Sequence, residues 1–234
     1  MSWGPNKLAR ALLAATLLAA AGTAAADSLV VRASGPSAKS FPPGKRLPET
    51  ARISLKPADQ VTVLDGRGTR TFRGPGTFTV GAPAIGRIAS ATPTVDRRAR
   101  IGAVRGLGTP ELRPPSLWHV DIARSSTICV ADPSKLMLWR ADATQALTLD
   151  LAGTAGAGRR LDWQPGSPTL AWPADLPVAD GAEYRLSWSG AAAPTVIRFR
   201  TMPAVRAGLE DIAQVLIRNQ CEAQLDLLIA LVEG

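Results

Sequence analysis

Three short runs in which apolar and polar residues alternate, VTVLD, TRTFR and TFTV, follow one another within residues 61–80, separated by the glycine-rich turns GRG and GPG. A period of two marks a half-buried strand, and glycine at each reversal supplies the backbone freedom of a tight turn. The stretch predicts a β-meander. Leu64, Phe72, Phe78 and Val80 are its natural core-facing residues, while Thr69, Thr71, Thr77 and Thr79 suit a solvated sheet face. Upstream, LVVRAS (29–34) reads as a strand and the turn formers of 35–50 as a loop. ARISLK (51–56) reads as a further strand with Ile53 and Leu55 on one side.

From Leu117 a second set of strand-like runs begins: LWHVDIA, STICVA, KLMLWR, QALTLDLA, GRRLDW, PTLAW, AEYRLSW and PTVIRFRT. Their short, regular spacing predicts a β-sandwich. Trp118, Trp139, Trp163, Trp172 and Trp188 lie among them, either as core and sheet-edge packing or as a stacking platform for sugar rings. After Thr201-Met202-Pro203 the apolar period lengthens to that of a helix. Leu209, Ile212, Ala213 and Leu216 form one stripe, and Cys221, Leu225, Leu228 and Val232 another. Asn219 followed by Glu222 has capping-box spacing, which predicts a break and two helices. The fold class is mainly β: a small N-terminal β-domain (27–81), a Gly-, Ala-, Pro- and Arg-rich linker (82–115), a sandwich-like domain (116–203), and a helical hairpin (204–234) packed on that sandwich.

The segment RISLKPADQVTVLDGRGTRTFRGPGTFTV resembles the periplasmic FecR-type β-domain, with its opening strand, L-x-x-x-D-x-V-x-V pattern, D-G turn and threonine-rich return. FecR proteins place that domain after a cytoplasmic anti-sigma segment and a membrane helix. This chain instead opens on a secretory leader, so the resemblance implies a periplasmic β-module that contacts another protein or the envelope, without sigma-factor control. PVADGAEYRLSW (177–188) resembles the late strand of Ig-like or fibronectin-like modules, where a tyrosine and a tryptophan follow a D-G turn.

The leader reading rests on Lys7 and Arg10, the uncharged apolar run 11–21, and the small residues Ala24-Ala25-Ala26. It predicts cleavage after Ala26 and a periplasmic product, since the run falls short of the roughly 20 apolar residues of a membrane span. Cleavage lowers the net charge from +8 to +6. The remaining cations concentrate at Arg97, Arg98, Arg100 and Arg105, read either as a solvated linker or as a contact for anionic lipid, anionic glycan or an acidic protein face. In an oxidising compartment Cys129 and Cys221 predict one disulfide tying a strand to the C-terminal helices.

Catalytic chemistry has little to work with. His119 is the one histidine, and Asp121 shares its strand face, with Ser116, Ser125 and Ser126 nearby, but no nucleophile elbow frames them. Asp175, Asp180 and Glu183 fall in a Pro- and Gly-rich loop that suits turn acids. The glycines of GRGTRTFRGPG lack the lysine and the following helix of a phosphate cradle. No cofactor or metal set is apparent. The expectation is an exported, non-enzymatic interaction or accessory module of the bacterial envelope, partnering a membrane sensor or transporter. The alternatives are a cell-wall or polysaccharide binder and a hydrolase centred on His119.

Overall fold

The structure is a computed structural model and describes residues 27–82, 112–154, 156, 158–203 and 208–233. Residues 1–26, read above as a leader, and most of the stretch 82–115, with Arg97, Arg98, Arg100 and Arg105, lie outside the described residues.

The N-terminal region comprises β1 (Asp27–Ser34), β2 (Arg46–Pro48), β3 (Arg52–Leu55), β4 (Gln60–Asp65), β5 (Gly68–Arg73) and β6 (Gly76–Thr79). β4 and β5 form the expected hairpin, with Val61 opposite Phe72 and Thr62 opposite Thr71. The third meander strand does not join them. β6 pairs with β3 in a separate two-stranded sheet, and β1 takes the other side of β4, giving the order β2-β1-β4-β5. Gly74 is the reason the chain can leave: its N–H donates to Asp59 O at 2.9 Å, and a Cβ there would stand 2.0 Å from Lys56 O. Only glycine permits that approach to the preceding turn.

Asp59 anchors the same corner and is 2% exposed. Its carboxylate accepts from Ser37 N–H at 2.8 Å and Lys56 N–H at 2.6 Å. Burial pushes its acidity down, but bonds from the Ser37 hydroxyl, Ser37 N–H and Lys56 N–H outweigh burial and hold the pKa below the usual carboxylate value. The two sheets enclose one apolar cluster, Val30, Leu47, Ile53, Leu55, Val61, Val63 and Val80, with Phe72 and Phe78 packed against it. Leu64, expected in this core, faces the other way. β4 is buried on both faces, which its alternating pattern does not announce.

The second region is a sandwich built from β7 (His119–Asp121), β8 (Ser126–Val130), β9 (Met137–Trp139), β10 (Leu147–Gly153), β11 (Gly158–Trp163), β12 (Thr169–Ala171), β13 (Glu183–Trp188) and β14 (Thr195–Thr201). A five-stranded sheet, β11-β10-β13-β14-β8, and a three-stranded sheet, β12-β9-β7, supply the inward residues of one core. β8 runs parallel to β14 and β7 parallel to β9, and the remaining neighbours are antiparallel. Trp172, Tyr184 and Phe199 meet edge to face, with centroids 5.0 to 6.0 Å apart. Tyr184 donates its hydroxyl to Pro177 O at 2.8 Å, the back-bond of a tyrosine corner. Arg140 is buried: it stacks on Trp163 at 4.8 Å and donates to the carbonyls of Gln145, Gln164 and Ser167. Its rigid fork thus closes two loops at once.

The C-terminal stripes form α1 (Leu209–Arg218) and α2 (Glu222–Glu233). The break falls where expected but not by the expected means. Asn219 caps the end of α1, its Nδ2 donating to Val215 O at 2.9 Å. Gln220 takes a left-handed φ of 58°, and the bonds Gln220 N–H to Ile217 O and Cys221 N–H to Leu216 O complete a Schellman turn. The hairpin also reaches beyond the sandwich. Ala213, Leu216, Cys221, Leu225, Leu228 and Ile229 pack with Leu29, Val31 and Leu64 from the N-terminal sheet, and with Cys129 from β8. Packing on the sandwich alone would have left Leu29, Val31 and Leu64 exposed. Instead the hairpin is a wedge shared by both regions. Cys129 and Cys221 form the expected disulfide, at a Cα separation of 5.9 Å.

Candidate functional site

The wedge leaves a cleft of about 410 Å³ where β1, the β7–β8 segment and α2 meet. Arg32 of β1, His119, Asp121 and Arg124 of the sandwich edge, and Asp226 and Glu233 of α2 line it, with Leu227 and Ala230 as apolar floor. A neighbouring recess shares Arg124, Ser126, Ala223 and Asp226 with it, so the two make one groove along α2. Each wall follows from local sequence. Arg32 is the first residue of β1 to escape the buried run Ser28 to Val31. On α2, burial of Leu225 and Leu228 against the β1–β4 sheet turns Glu222 and Asp226 outward. Arg32 and Asp226 form an ion pair that spans the cleft from sheet to helix.

His119 is half-buried, and its Nδ1 lies 2.8 Å from Ser116 Oγ. Burial lowers its pKa, opposed in part by a hydrogen bond with the backbone of Ser116. Asp121 shares the cleft, and burial raises its pKa against the Ala123 N–H bond and the charge of Arg124. The structure therefore sets Ser116 against His119, and places Asp121 along the same cleft as His119. Ser116 is absent from the cleft lining and also accepts from Trp118 N–H at 3.3 Å, as the hinge of a local turn. Ser125 Oγ accepts from Val196 N–H at 2.9 Å, and Ser126 Oγ points to Arg124 O.

The other sequence candidates are also accounted for. Asp175, Asp180 and Glu183 pair with Arg159, Arg200 and Arg198 respectively. Trp139, Trp163 and Trp172 are buried, Trp188 packs on the same core and Trp118 is partly buried, so among the described residues no row of tryptophans faces solvent. The GRG and GPG glycines turn between strands. Among the described residues no cluster of three or more His, Cys, Asp or Glu could hold a metal ion.

Sequence reasoning passed over Gln224. This buried side chain accepts from Cys129 N–H at 2.7 Å and donates to Cys129 O at 3.0 Å and to Leu117 O at 2.8 Å. The available signal was a polar residue three positions after Cys221, on the apolar side of the helix. Arg32, Arg124 and Asp226 carried no signal at all, because their meeting depends on three distant elements. No family model, curated protein or solved structure matches the chain.

Proposed function

We propose that this chain is an exported, non-enzymatic interaction module of the bacterial envelope, working in the periplasm as an accessory to a membrane sensor or transporter. The observation that carries the reading is the groove between the sandwich edge and α2. It is polar, open, and built where two β-regions and a helical hairpin converge, while its serine hydroxyls, Ser125 and Ser126, are engaged with the backbone of Val196 and Arg124. A buried disulfide suits an oxidising compartment. No described helix is long and apolar enough to cross a membrane. The FecR-like stretch of sequence and the secretory leader point to the same compartment.

A photo-crosslinking residue at position 125, expressed in cells, tests this. Recovery of one specific envelope protein is the expected result. Recovery of the uncrosslinked chain alone, at native expression, would overturn the proposal.

A further inference from the structure

β8 is the outermost strand of the five-stranded sheet and pairs only with β14. Ladder groups alternate sides along a strand. Cys129 turns both its N–H and its C=O away from β14, where the Gln224 carboxamide meets them as one residue of an added strand would. Thr127, two positions earlier, directs its N–H and C=O to the same side, and no described residue bonds to either. One backbone position of the edge is thus closed from within. The next opens into the groove.

The facing wall is α2. Glu222 and Asp226 line the recess beside Ser125, Ser126 and Thr127, with the small Ala223 between them leaving room for a backbone. Helix positions four apart rise by about 6 Å, close to the roughly 6.8 Å between same-face side chains of a strand. A segment laid along α2 thus meets the two carboxylates with alternate side chains. Glu222 has no ion-pair partner among the described residues, and Asp226 holds Arg32. Arg124, the one guanidinium on this recess, stands in the field of Asp121. The recess wall thus favours a cationic side chain.

We propose that the groove between β8 and α2 receives an extended, basic segment of a partner protein, which adds to β8 as a further strand. The inference rests on the interaction-module reading above and names its partner's chemistry: main-chain hydrogen bonds to Thr127 supply the docking, and lysine or arginine at alternate positions meets Glu222 and Asp226.

The probe is a fluorescent, capped hexapeptide alternating valine and lysine, titrated against the disulfide-intact chain by anisotropy. Saturable binding is expected. Binding should weaken about tenfold or more for the valine–glutamate peptide, for the lysine peptide N-methylated at alternate amides, and for Glu222→Lys, an exposed substitution. Ala223→Trp, which fills the recess, should abolish it, with circular dichroism confirming that each variant is folded. Equal binding of the N-methylated peptide would reduce the effect to charge alone and overturn strand addition. Equal binding of the glutamate peptide, or no saturable binding, would also overturn it. So would a concentration-dependent dimer that Ala223→Trp disrupts, since a second copy would then occupy the edge. If the peptides fail while position 125 still crosslinks to an envelope protein, this inference falls and the interaction-module reading stands. If both fail, both fall.

Discussion

Gln224 satisfies three backbone groups on two separate segments, Cys129 N–H, Cys129 O and Leu117 O, from a buried position on α2. Replacing it by leucine keeps the volume and strands all three. Gln224→Leu is expected to cost about 2–4 kcal/mol, because an unsatisfied buried group loses its full desolvation penalty. Urea denaturation measures it. His119 and Asp121 give the cleft two opposite responses to pH. Burial holds the His119 pKa below 6.5, so its contribution to stability is complete above pH 6.5 and is lost as pH falls through the folded value. Burial raises the Asp121 pKa above 3.8, so its contribution is complete below pH 3.8 and is lost as pH rises through the folded value. In stability–pH profiles from chemical denaturation, His119→Gln should flatten the decline below pH 6.5. Asp121→Asn, which keeps the acceptor for Ala123 N–H, should raise stability at neutral pH.

At the scale of elements, the hairpin α1–α2 decides most. Its apolar stripes are plain in the sequence: Ala213, Leu216, Cys221, Leu225 and Leu228 became buried and Leu209, Ile212 and Val232 partly so, while Gln224, Leu227 and Ile229, off the stripes, are buried as well. What they pack against was not legible. Periodicity names a face and is silent about its partner. Two independent devices hold the hairpin to β8, the disulfide and the Gln224 bonds. Removing the disulfide with Cys129→Ala/Cys221→Ala releases a closure over a sequence separation of 92, and about 4–5 kcal/mol of stability should go with it in the chain-entropy account. The far-ultraviolet circular dichroism spectrum should stay unchanged, because the apolar cluster and Gln224 remain. Loss of the spectrum at neutral pH would show that the disulfide alone positions the hairpin.

At the scale of the whole molecule, the shared wedge joins two regions that composition separates. Leu29, Val31 and Leu64 pack in one apolar cluster with the hairpin, and the hairpin is fixed to β8. A fragment of residues 27–82 exposes that apolar face and should fail to give a dispersed amide spectrum by NMR. Within the full chain, Leu64→Ala and Leu228→Ala should each cost about 2–4 kcal/mol. Together they should depart from additivity by about 0.5 kcal/mol or more, since they line one cluster. Additive losses would mean that the two regions unfold independently.

By itself, the sequence determined the strand runs other than β2, which lies in the stretch 35–50 read as loop, together with the hairpin of β4 and β5, the two C-terminal helices and the pairing of the cysteines. These follow from local period, turn chemistry and a count of two. The tertiary structure decided that β1 intervenes beside β4, that β6 turns away to β3 at Gly74, and that Leu64 belongs to the helices rather than to the β-core. It also decided the groove. Arg32, Thr127, Gln224 and Asp226 lie far apart along the chain, and no local pattern encodes the distance between residues that only long-range packing brings together. Backbone groups such as those of Thr127 exist at every residue. Only the order of strands in the sheet determines which of them face an open edge.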